Sequence, residues 1–117
     1  MPKPKTVAIK MRIRIYVGDR MLGPGKIELL GQIDLTGSIA ASAKQLRMSY
    51  TRAWQLVQVL NSDSERLMVE MSRGGTGGGT AKVTPFGKKV LALYRRMEGK
   101  SASAARPDGL KLARLLK

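Results

Sequence analysis

The stretch Ser38-Ile-Ala-Ala-Ser-Ala-Lys-Gln-Leu-Arg-Met-Ser-Tyr-Thr-Arg-Ala-Trp-Gln-Leu-Val-Gln-Val-Leu-Asn61 decides the fold. Ser38 is a good N-cap, and Ile39, Ala43 and Leu46 then recur at four and three residues, the spacing that stacks side chains along one side of a helix. That helix runs for about two turns and stops near Arg47. Ser49 caps a second helix reaching about Asn61. At about 100° per residue, Tyr50, Ala53, Trp54, Val57 and Leu60 gather on one side, while Thr51, Gln55 and Gln58 lie opposite with Arg52 at their edge. One side packs. The other is polar but nearly uncharged, a surface suited to matching hydrogen-bond patterns more than to solvation. Ala40, Ala41 and Ala43 are small enough for the two helices to approach closely.

On the N-terminal side, Ile9, Met11, Ile13, Ile15 and Val17 alternate with Lys10, Arg12, Arg14 and Tyr16. A strict period of two predicts a strand with one buried and one basic face. Gly18, Asp19, Gly23, Pro24 and Gly25 supply turn chemistry, and Ile27, Leu30 and Ile33, with Leu29 flanking, form one side of a short helix that Thr36-Gly37 ends. On the C-terminal side, strands are expected at Leu67–Ser72 and Ala81–Val83, joined by Arg73-Gly-Gly-Thr-Gly-Gly-Gly-Thr80. Thr84 as N-cap and Pro85 at the first helical position start another helix. Phe86, Val90, Leu93 and Met97 are its apolar stripe, and Lys88, Lys89, Arg95 and Arg96 take other positions. Residues 99–109 read as a small, polar linker, and 110–117 as a short basic segment able to make two helical turns. No internal repeat is present. Helix, turn, helix, hairpin, helix is the order of a winged helix-turn-helix: an α+β, mainly α fold with an N-terminal β-strand and a glycine-rich wing hairpin, occupying residues 1–98.

Charge points to the partner. The 117 residues carry 22 Lys+Arg against 8 Asp+Glu, a net charge of +14. Residues 1–26 hold seven basic and one acidic side chain, 27–71 four and five, and 72–117 eleven and two. The flanks are basic and the middle is neutral. So one-sided a surface repels itself unless an anionic partner neutralises it.

Several chemistries drop out. The chain has no Cys and no His, which excludes thiol nucleophiles, His bases, Ser-His-Asp triads, zinc fingers and haem ligation. The eight carboxylates are scattered without the spacing of an acid/base pair or a metal site, so neither enzymatic activity nor a metal or cofactor is expected. The loop Gly74–Gly79 has no Gly-Lys-Ser/Thr at phosphate-loop spacing and opens no helix, which removes nucleotide binding. As a wing, its bare backbone N–H groups can approach phosphates, with Arg73 and Lys82 at its base. The longest uncharged runs, Leu35–Ala43 and Ala53–Ser62, fall short of the roughly 20 residues that span a bilayer. Lys10, Arg12 and Arg14 break any secretory signal core. A cytoplasmic protein without a membrane partner is expected.

The runs Ile27-Glu-Leu-Leu30, Thr36-Gly-Ser-Ile-Ala-Ala-Ser-Ala-Lys44, Met48-Ser-Tyr-Thr-Arg-Ala-Trp54, Gly74-Gly-Thr-Gly-Gly-Gly79 and Val83-Thr-Pro-Phe-Gly87 resemble the N-terminal DNA-binding domain of the ModE molybdate-responsive transcription regulators, over about residues 9 to 98. The resemblance implies a homodimer on double-stranded operator DNA, with the second helix of the helix-turn-helix in the major groove and the wing over the backbone. Ser49, Tyr50, Thr51, Arg52 and Gln55 would then face DNA; Arg73, Thr76 and Lys82 would support the wing, and Ala53 and Trp54 would face inward. It also implies that the first and last helices help form the dimer. Two positions depart from the family pattern. Arg47 stands where related turns carry Gly, at a cost on the order of 1 kcal/mol if its backbone is left-handed, and Thr80 replaces a wing glycine. Members that sense molybdate do so through C-terminal oxyanion-binding domains, so the resemblance gives no support for sensing within residues 99–117. A separate oxyanion-binding subunit docking on 110–117 is one partner to consider. The competing reading is a nucleoid-like DNA- or RNA-binding protein that uses charge without reading bases.

Overall fold

In the computed structural model, residues 8–72 and 79–116 are described. The elements in order are β1 (Ile15–Val17), β2 (Arg20–Leu22), α1 (Pro24–Thr36), α2 (Ile39–Gln45), α3 (Tyr50–Ser62), β3 (Val69–Ser72), β4 (Thr80–Val83) and α4 (Pro85–Leu115). The fold is the mainly α, α+β winged helix expected, with two antiparallel hairpins, β1–β2 and β3–β4.

α1 is the centre of the core. Pro24 occupies its first turn, where a missing N–H costs nothing, and Gly37 ends it at φ 69°, its N–H bonding Ile33 O at 2.8 Å. Ile27, Leu29, Leu30, Gly31 and Ile33 are all buried, because α2, α3, α4 and β4 surround the helix. Gly37 O also accepts the Ala81 N–H at 2.9 Å, which ties the end of α1 to β4.

The N-terminal alternation, expected as one strand over residues 9–17, is a strand only at its end. Only Ile15–Val17 pairs as a strand, with β2, in the register Val17↔Arg20 across a two-residue turn whose Gly18 has φ 64°. A hairpin loop this short requires positive φ, which glycine adopts without strain. Residues 8–14 pair with no strand. Ile9, Met11 and Ile13 are still half-buried while Lys10, Arg12 and Arg14 are exposed. Ile9 sits against Gly109, and Ile13 O accepts a hydrogen bond from Tyr94 Oη. A period of two follows any extended segment covered on one side, and here the cover is α4.

α4 corrects two further expectations. It continues unbroken for 31 residues, so the segment 99–109 read as a linker is helical. Ser101-Ala-Ser-Ala-Ala105 is rich in the best helix former, and this offsets part of the ~3 kcal/mol that Pro107 costs inside a helix. The packed side is also rotated from the expected stripe. Gly87, Leu91 and Tyr94 are buried, Phe86 and Val90 are half-buried, and Leu93 and Met97 are each 46% exposed. Gly87 fits because Met68 O and Val83 lie where a Cβ would stand, and Thr84 Oγ1 caps the helix by accepting from Gly87 N at 3.0 Å.

Candidate nucleic-acid interface

Two capped helices and one strained turn set the geometry. Ser38 Oγ accepts from Ala41 N at 3.1 Å to start α2, and Ser49 Oγ accepts from Arg52 N at 3.1 Å to start α3. Between them the chain reverses at Arg47, φ 55°, with Met48 N–H bonding Ala43 O at 3.0 Å. Arg47 thus holds the left-handed conformation that glycine supplies at no steric cost. Behind the turn, the buried Ser42 hydroxyl bonds Ser38 O at 2.7 Å and Thr36 Oγ1 at 2.8 Å, locking the start of α2 to the end of α1.

α3 buries Ala53, Val57 and Leu60 against the core. Its other side carries no carboxylate. Ser49, Tyr50, Thr51, Arg52 and Gln55 are all exposed along its first two turns, at the helix end where free N–H groups and the dipole favour phosphate. Ser49 therefore serves as cap, and its hydroxyl hydrogen remains a donor. Exposed Lys44, Gln45 and Arg47 flank this end.

Trp54 does not sit where expected. Trp54 is 44% exposed and Tyr50 55%, although the helical projection put both on the packing side; for Tyr50 the resemblance had implied an outward position. On the helix they lie about 40–100° from the line through Ala53, Val57 and Leu60, so they form an exposed aromatic edge one turn apart. The signal was present in that angular offset, and aromatic character masked it.

The hairpin β3–β4 follows. Asn61 anchors it to α3: its Oδ1 accepts from Met68 N at 2.8 Å and Val69 N at 3.1 Å, and its Nδ2 donates to Val69 O at 3.0 Å. Sequence reasoning missed this role, since no local pattern marks it. β4 alternates exposed Thr80 and Lys82 with buried Ala81 and Val83, and Lys82 lies opposite Glu70 in the register. Arg73 and Thr76 lie outside the described residues, as does most of the glycine-rich run. Among the described residues no cluster of acidic side chains could hold a metal ion, and no helix is long and apolar enough to cross a membrane.

Burial shifts one titration. Tyr94 sits in the α1–α4 contact with its hydroxyl on Ile13 O, and desolvation, helped by the nearby Glu98 carboxylate, raises its pKa above 10.0.

A helix-turn-helix braced by a hairpin, with an acid-free helix face beside it, defines a winged helix-turn-helix domain. Similar proteins narrow the class. The chain is 34% identical over 113 residues to the transcriptional regulator ModE of Yersinia pestis, a match covering 94% of this chain and 41% of that protein. It is 42% identical over 71 residues to the DNA-binding transcriptional dual regulator ModE of Escherichia coli (strain K12), covering 61% and 27% respectively. The molybdenum-pterin-binding protein MopB of Rhodobacter capsulatus is 41% identical over 81 residues, 69% of this chain and 30% of that protein. No protein-family model matches the chain. The chain is thus similar to ModE regulators over most of its own length and spans 27–41% of the length of these relatives.

Proposed function

We propose that this chain is a sequence-specific DNA-binding transcription regulator of the ModE type, acting in molybdate transport or metabolism and binding an inverted-repeat operator as a homodimer. α3 is the reading helix: Ser49, Tyr50, Thr51, Arg52 and Gln55 face the duplex, and Arg73, Thr76 and Lys82 support the wing on the phosphates. The unit that does this lies within residues 1–98. The observation that carries the reading is α3 itself, firmly packed through Ala53, Val57 and Leu60 and free of carboxylates on the side that is exposed. A buried inner side fixes the helix, and Arg and Gln present the donors that pair with guanine and adenine edges. The relatives' names support the link to transcription and to molybdenum. The apolar side chain left exposed at the end of α1, Leu35, supports a second copy covering it, and a two-fold dimer would set half-sites about 34–36 Å apart.

The test is the double variant Arg52→Ala/Gln55→Ala. A regulator binds its site roughly 10³-fold or more above random duplex, and loss of two base-reading side chains, each worth about 1–3 kcal/mol, is expected to bring that ratio close to unity while random-duplex binding largely persists. An unchanged ratio overturns the role of α3. A wild type without any preference leaves the charge-driven reading. Sedimentation as a monomer, with and without DNA, overturns the dimer.

A further inference from the structure

The longest exposed feature of the molecule lies outside this reading. α4 extends about 46 Å at 1.5 Å per residue, and its packed side, Gly87, Leu91 and Tyr94, is turned toward α1 and β4. Lys88 pairs with Asp34 at 3.8 Å and Arg95 lies across Gly31 of α1. The remaining cations of the helix are Lys89, Arg96, Lys100, Arg106, Lys111 and Arg114, all exposed. At about 100° per residue these six fall within an arc of roughly 140°. The two acidic residues of the helix, Glu98 and Asp108, fall outside that arc. None of the six forms a salt bridge among the described residues. The result is a stripe about 38 Å long, slightly more than one helical turn of duplex DNA.

The stripe is not part of the α3 surface. α1 packs against both α3 and α4, and each of these two helices turns its buried side toward the core. The cations of α4 and the exposed residues of α3 therefore lie on two different helices, each on the side away from its own core contacts. Their side chains are long, flexible and sequence-blind, the chemistry that neutralises phosphates by counterion release.

We infer that the cationic stripe of α4 is a second, sequence-independent duplex-binding surface, so that one chain holds two DNA segments: one on α3 and the wing, one along α4. This rests on the proposed DNA-reading role of α3, and the experiment separates the two. A biotinylated duplex carrying the selected site is immobilised, the full-length protein is added, and retention of a second, fluorescent random-sequence duplex is measured near 0.1 M salt. The wild type is expected to retain the second duplex. The variant Lys100→Gln/Arg106→Gln/Lys111→Gln/Arg114→Gln keeps both reading helices of a dimer and is expected to bind the first duplex within a few-fold yet lose the second. On random duplex alone, its log K against log salt slope is expected to flatten by up to about 3.6, at 0.9 per phosphate contact. Unchanged circular dichroism shows that the variant is folded, and loss of helicity calls for Lys111→Gln/Arg114→Gln, expected to halve the slope change. No retention of the second duplex by the wild type, or equal retention by the variants, overturns the inference. Capture on anionic lipid vesicles in place of duplex overturns it too. If the wild type selects no sequence, the reading of α3 fails, while random duplex used in both positions still judges the stripe.

Discussion

Gly87 lies in the first turn of α4 and Gly99 about four turns in, and alanine is expected to act oppositely at the two. At Gly87 a Cβ would come within 2.8 Å of Val83 Cγ1 and 3.1 Å of Met68 C, and closer still to Met68 O. That carbonyl cannot turn away, because it accepts the Thr84 N–H at 3.0 Å. Overpacking of this kind costs about 1–3 kcal/mol, against a gain of up to about 1 kcal/mol in helix propensity. The expected net loss for Gly87→Ala is about 1–2 kcal/mol, a fall in Tm of roughly 4–8 °C for a domain of this size. At Gly99 nothing lies within 4 Å of the added carbon, so Gly99→Ala is expected to stabilise by up to about 1 kcal/mol. Thermal and urea unfolding followed by circular dichroism reads both. A Gly87→Ala protein as stable as the wild type would refute the seating of α4 on Met68 and Val83. A Gly99→Ala protein that gains nothing would refute a helix that runs through residue 99.

Arg47→Gly relieves a left-handed residue at φ 55°, worth about 1–2 kcal/mol less the roughly 0.5–1 kcal/mol of added chain entropy. A higher urea midpoint is expected, and a lower one would mean that the turn has another conformation. Asn61→Ala removes three hydrogen bonds between α3 and the start of β3 and strands backbone groups at about 1–3 kcal/mol each. A loss of at least 2 kcal/mol is expected in urea unfolding, and a loss below ~0.5 would deny the anchor. The raised pKa of Tyr94 contributes stability that is complete below about pH 10, the unfolded tyrosine value, and is lost as pH rises and the unfolded chain ionises first. Between pH 9 and 11 the wild type is expected to lose stability more steeply than Tyr94→Phe, and parallel curves would contradict the buried hydroxyl.

The helix-turn-helix was legible because its determinants are local. Ser38, Ser49 and Thr84 are caps acting over three residues, and the structure places all three where the sequence does. The exposure of Thr51, Arg52 and Gln55 followed from the same periodicity, whereas that of Tyr50 did not. What escaped is decided at a distance. Whether Ile9, Met11 and Ile13 lie on a strand or a helix depends on α4, some 80 to 100 residues away. Residues 99–109 look like a linker because glycine, serine and proline weaken a helix, yet the turns before and after them are strong enough to carry it through. Trp54 was grouped with the packing side by the helical projection, but residue 54 lies at the edge of that side and is 44% exposed. Asn61 acts through tertiary hydrogen bonds that leave no periodic trace.

Selection from a random duplex pool at about 0.15 M salt, a concentration that suppresses non-specific binding, tests the central claim most directly when run with and without added molybdate. Enrichment of an inverted repeat with half-site centres about one helical turn apart, abolished in Arg52→Ala/Gln55→Ala, is the predicted result. A pool that emerges without any enriched sequence while the protein remains bound to it would contradict the account.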